Sequence, residues 1–400
     1  MIRKLFYASY FLLATAAVIS CGRTGKKEKA ADLPRIEFSF TDGKIKMSDI
    51  VDSLSYIPLA TDTACLIGQV DKLIPTDSFL VVVDKETARA VYLFAKDGSF
   101  IRKIGNHGPG PEEFVSIEDV AVDEQGRRII VLDAESQHIL AYSFDGSFIK
   151  SYRTDGYIYN IAYVGDNTLA CYLNYGVNEP FEKKGFIPTA ALFDLDKGKF
   201  VDLDVYADKD IKMGSMNSMM FPFSCDGLTT DFMLPLNDTL YGVSSKGFYP
   251  EYLLDFGDGH RRAQQEYLEY IKSAQPGAML IDTKVREYGV SDIIHFAVSG
   301  DILFVLYTNY ERPRIGIANL KTGKSLSGKM DKTGYLENDM DGATFFVPVA
   351  FRNNEAYCGI EVSNLKEIPA EKLNPAALEL QKNGSEEDNP IIVVAKLKDF

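Results

Sequence analysis

The chain has 400 residues, 46% hydrophobic, 12% aromatic and 25% charged, a globular balance that excludes a disordered, collagenous or polytopic membrane protein. Its formal net charge of −14 at pH 7 opposes non-specific attraction to nucleic-acid phosphate, so no nucleic-acid partner is expected. Length alone suggests two or three domains, but closed β architectures run long as one domain.

In chain order, Arg3 and Lys4 precede an apolar run from Leu5 to Ile19 that is too short for a comfortable membrane span, the pattern of an export signal over residues 1–20. The run ends in Val18-Ile19-Ser20-Cys21-Gly22, which resembles the lipobox of bacterial lipoproteins. That resemblance implies cleavage before Cys21 and its lipidation. Several acyl chains would anchor stably, since each buried methylene contributes about 0.8 kcal/mol. The alternative is a Cys that happens to lie beside a signal-peptidase site. Residues 21–35 then form a lipidated tether and residues 36–400 the folded body. Lipoproteins of this kind sent to the cell surface often carry an acidic run after the Cys. Gly22-Arg23-Thr24-Gly25-Lys26-Lys27-Glu28 does not, which favours the periplasmic side of the cell envelope. The remaining cysteines, Cys65, Cys171, Cys225 and Cys358, have no CxxC spacing and fit small buried thiols rather than zinc ligands or a disulfide framework.

Beyond the tether, short β-type runs alternate with turn signals. Phe79–Asp84 and Ala90–Phe94 lead into Asp97-Gly98-Ser99-Phe100-Ile101; Ile129–Asp133 and Ile139–Phe144 lead into Asp145-Gly146-Ser147-Phe148-Ile149. The two DGSFI segments lie 48 residues apart, and Asp84 and Asp133 lie 49 apart. Asp-Gly between alternating apolar runs predicts a hairpin, with a type I′ turn because that turn needs positive φ. Weaker echoes follow at Leu192–Phe200 and Ile317–Lys324. A four-stranded unit repeating every 40 to 50 residues predicts an all-β, six-bladed β-propeller of four-stranded antiparallel blades. Six blades would take about 52 residues each and seven about 44, so the repeat favours six; seven blades or two stacked sandwiches are the alternatives. Insertions are expected near 174–188, 260–274 and 369–389, the second and third with helical composition.

Residues 104–150 resemble an NHL-type propeller repeat. The resemblance rests on the Gly-rich segment Ile104–Phe114, on Val120-Ala121-Val122-Asp123, Gly126, Val131-Leu132-Asp133 and Phe144-Asp145-Gly146. Ile117 stands where such repeats usually carry Pro, and Gln137-His138 replaces their Asn-x-Arg segment. Ser55-Tyr56-Ile57-Pro58-Leu59, Ile67-Gly68, Gly108-Pro109-Gly110-Pro111-Glu112-Glu113-Phe114 and the lipobox together resemble the six-bladed NHL/TolB-like propeller lipoproteins abundant in Bacteroidota. That family is largely without assigned activity.

Two motif-like segments read as turns. Gly108–Pro111 has two prolines that remove backbone donors a phosphate loop would need, and Asp255-Phe256-Gly257 lacks the companions of a kinase magnesium motif. His107, His138, His260 and His295 lie far apart, without metal-ligand spacing. Glu118 and Asp119, Asp292 and Asp341 precede strands expected to line the central channel, where carboxylates could converge on Ca²⁺. Asp84 and Asp133, at equivalent strand ends, and Gly98 and Gly146, in the equivalent turns, read as structural blade positions. Tyr157, Tyr159, Tyr172 and Tyr175 could line a sugar-binding face, although the chain has no Trp.

The expectation is an exported, lipid-anchored, monomeric propeller that binds a protein or glycan at one face. It would need no cofactor and touch the membrane only through its anchor. The alternative is a Ca²⁺-assisted lactonase, lyase or hydrolase with its site in the central channel.

Overall fold

The computed structural model describes residues 33–40, 43–174, 178, 186–208, 222–235, 237–273, 292–308, 313–330, 336–342 and 348–398. Their strands form six sheets of four antiparallel strands, one of them with an added parallel strand; in five of them sequence neighbours pair in order, the arrangement of propeller blades. Blade 1 spans Lys72–Ile104, blade 2 Asp119–Arg153, blade 3 Asn160–Asp208, blade 4 Phe223–Asp255 and blade 5 Asp292–Lys329. Blade 6 takes its inner three strands from Ala350–Arg352, Glu355–Ile360 and Ile391–Leu397, and its outermost strand from Val51–Pro58 near the other end of the chain.

The core explains why these segments become strands. Each second strand is buried on both faces, and successive side chains point opposite ways. In blade 1, Val81 and Val83 pack towards blade 2 while Leu80 and Val82 pack towards blade 6. In blade 2, Ile129 and Val131 face blade 1 while Ile130 and Leu132 face blade 3. A two-sided wedge of this kind requires an unbroken apolar run, and Phe79–Val83 and Ile129–Leu132 supply it. The buried residues divide into six clusters, one between each pair of adjacent blades, so the apolar layers run around a closed ring.

The Asp-Gly hairpins join the third and fourth strands of blades 1 and 2, but they are not type I′. Only Gly98 and Gly146 have positive φ, 86° and 87°, while Asp97 and Asp145 accept the Ser99 and Ser147 N–H groups at 2.9 Å. The carboxylate closes the turn, so one left-handed residue suffices, and Ile101 and Ile149 drop out of register as bulges. Gly98 is further constrained, because a Cβ there would stand 2.1 Å from the Pro58 carbonyl oxygen of blade 6.

The segment before blade 6 straps the outside of the ring. Arg35–Glu37 pairs parallel to the outermost strand of blade 4, as a fifth strand. The chain then crosses blade 5, where Phe38 fills the space left by Gly316 and packs on Phe256 and Tyr307. It ends in the Val51–Pro58 strand, paired from Val51 opposite Leu397 to Pro58 opposite Ile391. The helical insertions fall at Asp258–Ser273 and, after a short 3-10 turn at Ala370–Lys372, at Pro375–Asn383. No helix of the described residues is long and apolar enough to cross a membrane.

Because strands alternate in direction, the two ends of the ring differ. Links into the inner strands and the longer insertions lie at one end, the long-loop face. Short turns such as Glu124–Arg127, Val164–Asn167 and Asp226–Thr229 lie at the other. Truncating Phe38 to Ala should lower unfolding stability in urea by about 3–4 kcal/mol, since it empties a filled interior site on the strap. An unchanged midpoint would show that the strap is not part of the cooperative fold.

Candidate functional site

A cavity of about 820 Å³ runs through the centre of the ring. Its wall comes from the inner strands, with Leu73, Val120, Ile161, Phe223, Phe296 and Phe351 among its apolar lining. Most of its exposed lining residues, Gln125, Asp166, Gly227, Leu228, Thr229 and Lys246, sit on short turns, and exposed Cys225 ends an inner strand beside one, so the mouth opens on the short-turn face over blades 2 to 4. Leu228, at 83% exposure, stands at that mouth. Arg352 braces one side: its guanidinium donates to Asp77 and Glu124 at 2.6 Å and to the Pro75 carbonyl at 3.3 Å. It also abuts Gly227, so one buried side chain ties blades 6, 1, 2 and 4. The guanidinium holds the Asp77 carboxyl below its ordinary pKa.

The acids singled out in the sequence lie elsewhere. Asp119, at the long-loop end of its strand, pairs with Lys72 Nζ at 2.6 Å and accepts the Ile161 N–H at 2.9 Å, locking blades 1, 2 and 3 together. Glu118 is beside it; burial pushes its pKa up, and its backbone carbonyl accepts a hydrogen bond from Lys85 Nζ. Asp341 accepts from Tyr56 and Asn338 on the flank of blade 6, away from the cavity. Asp292 begins the inner strand of blade 5, opposite Thr308, and its side chain lies outside the described residues. Glu118 and Asp119 are thus neighbours, and Asp341 does not join them. A calcium ion takes six to eight oxygens, yet no three His, Cys, Asp or Glu side chains gather as a metal site among the described residues.

Asp84 Oδ2 accepts the Gly68 and Gln69 N–H groups and Oδ1 those of Thr87 and Ala88. Asp133 accepts from Val115, Ser116 and Ser136 in the same way. Each pins the segment entering an inner strand to its own blade. Tyr172 is core, Tyr157 is exposed on the long-loop face, Tyr159 packs against Tyr172, and Tyr175 lies outside the described residues. Cys65, Cys171 and Cys358 are buried; Cys225, exposed at the cavity, has its pKa pushed up to about 11 by the desolvation of its thiol among the cavity walls.

Sequence reasoning missed the cavity's own titratable groups. Asp231, on the second strand of blade 4, is 6% exposed, and burial, then Glu251, then Asp226 raise its pKa to about 7. His295 lines the neighbouring wall on blade 5, with Nε2 3.0 Å from the Pro348 carbonyl, and burial lowers its pKa to about 4. The available signal was Gly242 inside a strand, since glycine in a strand marks a bulge or a close approach.

Six closed blades around a ligand-sized cavity define a six-bladed β-propeller with a central pocket. The chain belongs to the family described as Domain of unknown function (DUF4934), which matches residues 34–396. No curated protein matches it. Among solved structures it is similar to a Bacteroides fragilis protein provisionally described as exported. The two are 19% identical with a TM-score of 0.73, over 91% of this chain and 100% of that one. It is also similar to a DUF4221 member from Bacteroides vulgatus, 11% identical with a TM-score of 0.50, over 87% and 97% of the two chains. Both likenesses concern the fold.

The two perturbed groups act oppositely on stability. Asp231, raised, contributes stability that is present at low pH and lost as pH rises from about 4 to about 7. His295, lowered, contributes stability present above about 6.5 and lost as pH falls towards about 4. Asp231→Asn removes the first alone. The variant should be about 2–4 kcal/mol more stable than the parent at pH 8 and should lose stability more steeply on acidification from pH 6.5. Parallel pH–stability curves would contradict this electrostatic assignment.

Proposed function

We propose that this protein is an exported, lipid-anchored binding module rather than an enzyme, and that a protein or carbohydrate partner places a side chain or chain end in the central cavity. The observation that carries the reading is the cavity itself. Its volume lies within the roughly 300–1,000 Å³ of small-ligand pockets, and its walls mix apolar inner-strand side chains with polar groups from several blades, among them Lys72, Asp123, Asp231, His295 and Arg352. The ring around it is closed, and the loops and turns that decorate its faces are where recognition residues concentrate. Export is supported by the basic, apolar leader, and anchoring by Cys21 at the end of that leader. The periplasmic side is favoured by the basic rather than acidic tether.

Cys21→Ser should move the protein from the membrane fraction to the soluble fraction, and unchanged membrane association would reject the anchor. For binding, the full chain is applied to an array of envelope glycans and peptides. Retained ligands should be recovered chemically unchanged, and retention should drop at least tenfold in Ser244→Trp, which narrows the mouth. Product formation, or retention indifferent to that substitution, would overturn the reading.

A further inference from the structure

The strap shows how this ring accepts an added strand. On blade 4, Leu254 N–H bonds inward to Asp238, so the alternation of the ladder turns the Leu253 N–H and the Asp255 carbonyl outward. Pro34 accepts the first at 3.0 Å, Phe38 N–H donates to the second at 2.8 Å, and Arg35 pairs with Asp255 at 2.9 Å. This pairing starts two residues beyond a bulge at Glu251, since Leu240 lies opposite Tyr252 and Tyr241 opposite Pro250. Blade 2 has the same platform on its outermost strand, Phe148–Arg153. Its bulge is at Ile149, Thr154 N–H bonds inward to Gln137, and Tyr152 is buried against blade 3 as Leu254 is against blade 5. Ser151 and Arg153 therefore turn their main-chain groups outward, in the places of Leu253 and Asp255. No strand covers that edge among the described residues.

One difference sets the partner. Where blade 4 ends in Asp255, blade 2 ends in Arg153, which is exposed and forms no salt bridge among the described residues. The same holds for Lys150, 4.5 Å from the Tyr152 ring centroid, and for Arg102 and Lys103 on the outermost strand of blade 1. Arg102 reaches across to the Asp145 carbonyl at 2.7 Å, while the Asp145 carboxylate accepts from Ser143 and Ser147. Ile149, at 48% exposure, adds apolar surface beside these cations. We propose that the open edge of blade 2 is a docking site for an acidic, extended segment of a partner protein, which adds to Ser151–Arg153 as a parallel strand with a carboxylate paired to Arg153. The site is separate from the cavity and does not depend on what the cavity binds.

Main-chain pairing on an exposed edge supplies affinity with little regard to sequence, and side-chain charge then selects the partner. The strap fixes the register. Arg35 lies opposite Leu253, two residues before the partner of Asp255, so the incoming carboxylate belongs opposite Ser151. A second carboxylate two residues away lies on the same face of the added strand. The net charge of −14 opposes an acidic segment over most of the surface, which confines it to this cationic rim. An anionic lipid surface would meet the charges but not the alternating N–H and C=O groups of the edge. Two copies of this chain joined at the same edge would bring their own cations together. A partner strand rich in Asp or Glu meets both demands.

Fluorescence polarisation on the full chain tests this with labelled acetyl-Thr-Val-Glu-Val-Glu-Val-Thr-amide, its counterpart with Lys for Glu, and the acidic peptide with alternate amides N-methylated. The acidic peptide should bind at least tenfold tighter than either counterpart, and about fivefold more weakly at about 300 mM than at about 20 mM salt. Ser151→Pro removes an outward N–H and leaves the inward ladder intact. It should keep the thermal unfolding midpoint within about 3 °C of the parent and weaken the acidic peptide at least tenfold. The double variant Lys150→Glu, Arg153→Glu should reverse the preference and bind the lysine peptide more tightly. Ser244→Trp, at the cavity mouth, should leave peptide binding unchanged. Equal binding of the N-methylated peptide, or binding indifferent to both edge variants, would overturn strand addition. Loss of binding in Ser244→Trp would put the peptide in the cavity and overturn the edge site. Binding of phosphatidylglycerol vesicles without binding of the acidic peptide, or self-association lost in Ser151→Pro, would overturn the assignment to a partner polypeptide.

Discussion

The structure depends on the burial of both faces of every blade. A sheet with one solvated face can stand alone on a single core, but a blade with Val81 and Val83 on one side and Leu80 and Val82 on the other needs two neighbours. That demand is met around the ring only if the last blade meets the first. Here the cluster joining blades 6 and 1 gathers Leu73, Leu80, Val82 and Phe94 with Tyr357, Ile392 and Val394, from opposite ends of the chain. The outermost strand of blade 6, Val51–Pro58, locks that joint by hydrogen-bonded pairing of the N-terminal segment with Ile391–Leu397, about 340 residues later. The strap over blades 4 and 5 extends the same logic by covering outer edges that would otherwise be open to pairing.

Closure also creates the site. Six inner strands cannot meet at a point, and the space they leave becomes a cavity whose two ends have different chemistry. At the long-loop end Lys72, Asp119 and the Ile161 N–H satisfy one another across three blades. At the short-turn end Arg352 braces four blades on one side, and the turns of blades 2 to 4 frame an opening on the other. Asp119 and Asp341 are engaged in hydrogen bonds away from the mouth, and Asp231, whose Oδ2 accepts from Thr229, sits one strand further out. Burial without full pairing is what separates it from Asp84 and Asp133, whose oxygens are committed to backbone donors.

Much of the fold was legible because propeller repeats write themselves as spacing. The Asp-Gly turns, 48 residues apart, fall at the same joint of blades 1 and 2, and the count of six followed from that interval. What could not be read depends on partners distant in sequence. Arg35–Glu37 is too short to announce a strand, and its parallel mate lies over 200 residues away. The type I′ expectation failed because a side-chain acceptor, invisible to a φ-based rule, replaced one left-handed residue. The Asp231 corner was hidden for a similar reason: the bulge at Glu251 is a property of register, and register is set by the whole blade. Gly242 was its single local trace.

The account turns on Asp231 being a desolvated acid inside the ring, and its carboxyl ¹³C titration in the full chain measures that directly. A midpoint near 7 would agree with burial beside Glu251 and Asp226. A midpoint near 4, the value of a solvated carboxylate, would contradict it.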